Sequence, residues 1–365
     1  MTSARRWAVD ASTTVFDGVG SRSVIGRLLA RREAPRVMVV ANRSVVQAGL
    51  VDELTSSWDV APVAIFPSMR ANVPAVDVEA ALVLGTDANA SAVVGIGGSS
   101  VTDAAKIVRV RLLGDSIDAS SIPLFLAPTT LSSGELTPAA AITGAVAGEK
   151  SYVIDARMAP TAVVLDPELT LSTPAELWFA SGIKALDHAC EALWALDPHP
   201  LSDTLAAEAI RRLWRSLPRC AAAPDDLDAR LDAQLAGWFS MSGMTRHGPG
   251  PSHLLGHQLA ARWGIGHGVT SCITLPRVLE LAASEQRPGV EAVVSALGAI
   301  DAAAAAERLL EFVAALGLPT RLREVGAVES EIDAVADAAW RHGQAIGYRP
   351  SNGVSQFVEL LRACW

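Results

Sequence analysis

Lysine is the residue this chain most nearly does without. Of its 30 lysines and arginines only three are lysines, Lys106, Lys150 and Lys184. A chain that uses arginine almost everywhere else keeps lysine where a compact ammonium of adjustable proton affinity is wanted. Cysteine is sparse too: Cys190, Cys220, Cys272 and Cys364 lie far apart and never in CxxC spacing. That pattern excludes a CxxC redox motif and points to reduced thiols in a cytoplasmic protein. No apolar run is long enough to cross a bilayer. Arg5 and Arg6 precede the polar Asp10–Thr14 stretch rather than an apolar segment, so no signal peptide is expected. Positive charge is also in deficit. A formal net charge of -9 argues against a nucleic-acid or anionic-membrane surface, so an anionic substrate must be drawn in by a few local cations.

What is present is a globular chain of 365 residues, half of them hydrophobic and 19% charged. That length makes two domains the natural expectation. Apolar runs at 36–41, 92–96, 123–127 and 162–165 read as buried strands. Helical stretches, among them 24–32 and 103–113, lie between the earlier ones, which implies a largely parallel sheet covered on both faces. After Asp166-Pro167 the texture turns to long Ala/Leu/Arg-rich helical segments, and 302–315 reads as one such helix. The expected organisation is therefore an α/β domain over 1–166 and an all-helical domain over 167–365.

Two loops carry a nucleotide-binding signal. Gly95-Ile96-Gly97-Gly98-Ser99-Ser100 follows a strand, and a helix containing Asp103 and Lys106 begins just after it. Glycines let a backbone approach a pyrophosphate, and a helix N-terminus supplies free N–H groups and a positive dipole end. The second loop, Pro128 to Thr137, follows the next strand and is dense in hydroxyls, including Thr129, Thr130, Ser133 and Thr137. Ligands of open α/β sheets sit outside the carboxyl ends of strands, where both loops fall. Asn42-Arg43-Ser44 ends an earlier strand without the acidic residue that would exclude a 2′-phosphate, so NADPH use stays open alongside NADH, with Arg43 either accepting that phosphate or standing as a solvated surface residue.

The helical half holds a cluster of titratable groups. Lys184 and His188 stand four apart on one helical face, and so do His253 and His257, with His267 ten residues on. Four histidines suit zinc or iron(II). Lys184 opposes that, because an ammonium has no lone pair to donate.

These motifs together resemble the iron-containing (group III) alcohol dehydrogenases and, within them, the maleylacetate reductases, from about Val15 to Pro276. Gly97-Gly98-Ser99 with Asp103 and Lys106 is similar to the GGGSxxDxAK loop. Pro128 to Thr137 resembles PTTxxGSExT, with Ser133-Gly134 in place of Gly-Ser. Val164 to Thr170 is similar to YDPxLT, and Ser181 to Leu193 resembles SGxNAxAHxxEAL. The resemblance implies a dehydroquinate synthase-like fold, a Rossmann-like domain followed by a helical one. It implies NADH or NADPH held by Gly97, Gly98, Ser99, Asp103, Lys106, Thr129, Thr130, Ser133, Thr137 and Lys150. It also implies a catalytic group of Lys184, His188, His253, His257 and His267. In metal-dependent members the ligands fall at Lys184 (an aspartate there), His188, His253 and His267; maleylacetate reductases have asparagine at the first and resemble metal-free enzymes. The expected activity is hydride transfer to a conjugated oxo acid or carbonyl, without an essential metal, in a homodimer acting on a small anionic oxo acid. The alternatives are a metal-dependent alcohol dehydrogenase and a nucleotide-binding protein of this fold with non-redox activity or no turnover. Arg246 and His247 are further candidates to hold a substrate carboxylate.

Overall fold

The computed structural model describes residues 13–33, 35–144, 150–195, 197–247, 250–345, 348 and 352–365, with residues 150 and 243–247 described by backbone alone. Lys150, Arg246 and His247 therefore have side chains outside the described residues. The chain divides into two compact units. The first comprises Met1–Pro128, Gly134–Ile142 and Ser151–Asp166; the second comprises Thr129–Ser133, Thr143–Lys150 and Pro167–Trp365.

The first unit is built on strands β1 (Thr14–Asp17), β2 (Val37–Ala41), β3 (Ala64–Phe66), β4 (Ala92–Gly97), β5 (Leu124–Pro128) and β8 (Ala162–Leu165). Their order is β1-β8-β5-β4-β2-β3, with every pairing parallel. Two further strands, β6 (Ala139–Thr143) and β7 (Lys150–Ile154), make a separate two-stranded sheet. Helices α1 (Ser23–Leu29), α2 (Arg43–Gln47), α3 (Leu50–Thr55), α4 (Ala75–Asp87) and α5 (Ser99–Leu113) fill the connections. Every residue of β2, β4, β5 and β8 is buried, as continuous apolar runs in a covered parallel sheet require. Sequence periodicity passes over β1, β3, β6 and β7. The first two are only 4 and 3 residues long and partly exposed, so neither shows a buried strand's uninterrupted run.

The strand order contains a reversal. The chain runs outward from β2 to β3, then crosses back to β4 on the other side of β2 and continues through β5 to β8. The carboxyl ends of β2 and β4 thus flank a topological switch point, the usual ligand position in an open α/β sheet. Parallel strands need such crossovers, and α4 supplies this one.

The second unit is helical. It contains α6 (Ala175–Leu193), α7 (Pro200–Ala222), α8 (Leu227–His247), α9 (Pro251–Trp263) and α10 (His267–Ser284). It continues through α11 (Val290–Ala296), α12 (Ala302–Ala315), α13 (Ile332–Ala345) and α14 (Val354–Ala363). Its core gathers Trp178, Leu186, Leu213, Leu255, Leu275 and Phe357. Helix α6 is buried from Trp178 to Leu193, so its polar residues must find partners inside the protein. Among the described residues no helix is long and apolar enough to cross a membrane. All four cysteines are free and buried.

Candidate active site

The glycine-rich turn has the geometry its composition suggests. Gly97 has φ +152°, and a Cβ there would stand 2.7 Å from Val101 Cγ2, so a side chain would displace the first turn of α5. At Gly95 a Cβ would meet Leu126 Cδ2 at 2.9 Å and Ala105 Cβ at 3.0 Å, so its absence lets α5 pack tightly on the sheet. The N-cap of α5 is Gly98, with no side-chain cap and no acidic residue in the first turn. Ser99 is exposed, and its N–H belongs to the uncapped helix start. A 15-residue helix opening this way beside a switch point fits a dinucleotide phosphate.

Lys106 is used differently from expectation. It is fully buried, and its ammonium donates to Gly134 O, to Ala139 O at 2.9 Å and to Thr137 Oγ1 at 3.5 Å. Asp103 Oδ2 accepts from Ala141 N at 3.0 Å, and Thr137 Oγ1 donates to Gly134 O at 2.9 Å. Asp103, Lys106 and Thr137 thus brace the segment after β5 against α5. The reason is the depth of the α5 face bearing Lys106: an ammonium there must satisfy itself with internal oxygens.

Glu135, in the same cluster, has a buried Oε2 with no hydrogen-bond partner among the described residues. Burial pushes its carboxyl up to about 7, against the pull of the Lys106 charge. A carboxyl raised in the folded state binds protons the unfolded chain has released, so stability falls as pH rises from about 4.5 to about 7. The full loss is roughly 3 kcal/mol from this one group. Thermal midpoints measured from pH 4 to pH 8 should therefore decline less steeply in Glu135→Gln than in the parent. Parallel curves would show that Glu135 is ionised throughout.

In the helical unit, Thr129 to Ser133 is ordered largely by its own hydroxyls. Thr130 Oγ1 and Ser132 Oγ lie 3.0 Å apart, Ser133 Oγ donates to Leu131 O at 3.2 Å, and Thr173 Oγ1 donates to Thr129 O at 2.8 Å. Leu131 N donates to Ser181 Oγ at 3.0 Å, which ties the loop to α6 through the first serine of the Ser181 to Leu193 motif, a residue to which the sequence assigned no role. Ser133 has φ +57°, so this chain holds a serine in the left-handed region. That conformation costs a residue with a side chain about 1–2 kcal/mol.

The catalytic candidates converge around α6, α9 and α10. Lys184 Nζ lies 3.2 Å from Asp187 Oδ2. The same oxygen accepts from Ser252 Oγ at 2.9 Å and Ser271 Oγ at 2.6 Å. Glu191 accepts from Gly250 N at 3.0 Å and Ser252 N at 2.8 Å, and its Oε2 lies 2.5 Å from His253 Nδ1. Burial pushes the Glu191 carboxyl up to about 7, opposed first by the Lys184 charge and then by these N–H donors. His188 and His253 stack with ring centroids 4.8 Å apart. Burial, then the neighbouring His253 and Lys184, holds His188 well below the ordinary histidine range. Burial and then Lys184 bring His253 to about 3. Both rings are therefore neutral near pH 7.

His257 is half-buried, edge-on to His253 at 6.4 Å and to His267 at 5.5 Å between centroids. A fifth histidine joins them: His342 of α13 stacks on His257 at 5.6 Å. The sequence reading omits it, for it stands alone in its segment and shares no helical spacing with the others. Elsewhere, Asn42 caps α2 by accepting from Val45 N, and Arg43 is exposed.

This donor set does not fit a divalent ion at the position the histidine spacing suggests. Lys184 brings a positive charge to the anionic corner and is committed to Asp187. Among the described residues, the three groups whose ligand atoms fall within 4.8 Å of one another are Asp187, Glu191 and His253. Glu191 has donors on both oxygens, and Asp187 Oδ2 already holds an ammonium and two hydroxyls. Asp187 Oδ1 and His188 Nδ1 are buried without a hydrogen-bond partner among the described residues, whereas a metal bound through Asp187 Oδ2 or the Glu191 oxygens would have to displace the donors they hold.

A family model described as iron-containing alcohol dehydrogenase matches residues 12–167. A second, described as the C-terminal part of the Fe-containing alcohol dehydrogenase family, matches residues 178–365. The chain belongs to the iron-containing alcohol dehydrogenase family and is an NAD(P)-dependent oxidoreductase. Within that family it is similar to a maleylacetate reductase of Sphingobium indicum, 33% identical over 330 residues that cover 89% of each chain. It is also similar to the probable alcohol dehydrogenase EutG of Escherichia coli, 32% identical over 88% of this chain and 85% of that one. Among solved structures, the maleylacetate reductase of a Rhizobium species superposes with a TM-score of 0.83 at 26% identity, covering 98% of this chain and 97% of that one.

Proposed function

We propose that this protein reduces a conjugated oxo acid or an activated carbonyl with NADH or NADPH, without a catalytically necessary metal. The observation that carries the reading is the Lys184 ammonium, held by Asp187 at 3.2 Å beside His188 and His253. A nicotinamide held by this protein would supply the hydride. Its arrival at the substrate carbon builds negative charge on oxygen, and a preorganised cation stabilises that charge more in the transition state than in the ground state. Lys184 is the cation available, and Asp187 fixes its position. His188 and His253, kept neutral by burial, pack around it without competing for the oxyanion's charge. His257 then delivers a proton to the reduced substrate. The uncapped start of α5 and the glycines before it hold the cofactor's phosphates, while Asp103 and Lys106 keep the neighbouring loop in place. Resemblance to maleylacetate reductases supports an unsaturated oxo acid as the substrate class.

The test is nicotinamide absorbance during incubation with maleylacetate and a panel of 2- and 3-oxo acids, in the presence of chelator. Oxidation of NADH or NADPH by one class of oxo acid, undiminished by chelation, is expected. Turnover only after metal is added would sink the metal-free reading, and no turnover with any member would sink the substrate class.

A further inference from the structure

In the first unit a single ammonium, that of Lys106, faces two carboxyls: Asp103 on its own helix and Glu135 in the segment after β5. Lys106 has no exposed surface, and Glu135 is 2% exposed. Asp103 is only half-buried, lies 3.7 Å from the ammonium and accepts the Ala141 N–H. Glu135 has no such support at Oε2, which is sealed without a partner among the described residues. Lys106 donates instead to Gly134 O, Ala139 O and Thr137 Oγ1. Two carboxylates beside one ammonium would leave an uncompensated charge out of water. The proton that prevents this belongs on Glu135, the deeper of the two. Burial, opposed by its own N–H and then by Lys106, holds that carboxyl up to about 7. Tyr152 of β7 adds only a phenol kept protonated, by burial and then by the Asp103 charge.

At Ser133-Gly134 the chain passes from the second unit back into the first, and Gly134 O is one of the oxygens that Lys106 holds. Thr129 and Thr130 lie a few residues earlier on the same run of chain, so what anchors Gly134 fixes where the hydroxyl-rich loop ends. With Glu135 neutral, the ammonium is spent on the backbone, as described. Once ionised, Glu135 attracts it as a full opposite charge, which carbonyl dipoles cannot match in a low-dielectric site. We propose that Glu135 is a pH-sensitive latch on the cofactor loop. Protonated, it leaves Lys106 to brace Gly134 and Ala139; ionised, it draws the ammonium off those carbonyls and loosens the loop's hold on the cofactor. This rests on the cofactor-binding part of the function proposed above. A cofactor that selects the braced form also favours the proton on Glu135, so binding and proton uptake are linked. Affinity is therefore full in acid and falls as pH rises through about 7. If only the braced form binds, the loss between pH 6 and pH 8 is about tenfold.

Two measurements on the full chain test the latch without turnover. The first is hydrogen exchange of the unliganded protein, corrected for the intrinsic pH dependence of exchange. It is read at Thr137 and Ala141, whose N–H groups bond Gly134 O and Asp103. Protection at both should drop between pH 6 and pH 8 in the parent and stay level in Glu135→Gln, which keeps the shape of the neutral carboxyl. The second is calorimetric titration with NADH, which has no phosphate monoester to titrate near neutrality, in buffers of different ionisation heat. Near pH 7 the parent should take up part of a proton per NADH bound, and its affinity should fall about tenfold from pH 6 to pH 8. Glu135→Gln should do neither. Level protection in the parent overturns the latch whether or not the variant folds, and so does proton uptake that the variant retains in full. Level protection beside tight NADH binding rejects the latch alone. A parent that binds neither NADH nor NADPH rejects the cofactor site, and the latch's effect on it as well.

Discussion

Lys184→Met should lower kcat about 100- to 1000-fold, the usual cost of removing one preorganised group that stabilises a developing oxyanion. From the sequence alone the same variant is expected to keep the parental thermal midpoint, because methionine retains much of the lysine stem's volume. The structure changes that half of the expectation. Lys184 is the counter-ion of Asp187, a carboxylate with no exposed surface. Removing one partner of a buried pair leaves an uncompensated charge and costs about 3–5 kcal/mol. The informative protein is therefore Lys184→Met combined with Asp187→Asn, which removes both charges. Its midpoint should recover most of the loss while kcat stays low. Kinetics on both variants decide the matter: if the double variant regains parental turnover, the ammonium is a structural counter-ion and the mechanism proposed above is wrong.

The second large effect is the creation of a metal site. Lys184→Asp restores the anionic corner but places two carboxylates one helical turn apart in a buried segment, so the single variant should be strongly destabilised without metal. Adding Asp187→Ala removes the extra acid. This double variant should bind one zinc or iron(II) per chain through the carboxylate introduced in place of Lys184, together with His188, His253 and His267. Zinc at 100 times its dissociation constant should then add about 2.7 kcal/mol of stability, read as a higher thermal midpoint. Elemental analysis and melting curves with and without zinc check both statements. A parent protein that already carries one tightly held ion, and melts later when zinc is added, would show that the fit argument for this site is mistaken.

Much of this was legible in the linear chain. The buried strands β2, β4, β5 and β8 are uninterrupted apolar runs, and helix α12 falls at the residues its composition suggests. The turn at Gly97 is legible because few residues other than glycine tolerate its backbone angle and the proximity of Val101. Histidine and lysine spacing marked α6 and α9 as faces of a candidate site, since residues three or four apart share a helical face. All of these are local properties, encoded within one element and its flanks.

Tertiary packing decided how those residues are used. Lys106 stands in a nucleotide-loop motif, yet it spends its charge on the carbonyls of Gly134 and Ala139. Asp187 reads as one more helical acid until Ser252 and Ser271 arrive from α9 and α10 to bind the oxygen that holds Lys184. His342 shows no signal at all before α13 brings it against His257. The reversal of strand order between β2 and β4 is likewise invisible in the runs that form the strands. Periodicity states which side chains point the same way along one element. It carries no information about which face of another element will meet them, because that depends on the burial of apolar surface across the whole unit. The sequence by itself determined the fold class, the family and most of the titratable groups that gather around α6, α9 and α10; packing alone determined the strand order, which charge neutralises which, and which of those groups remain available for chemistry.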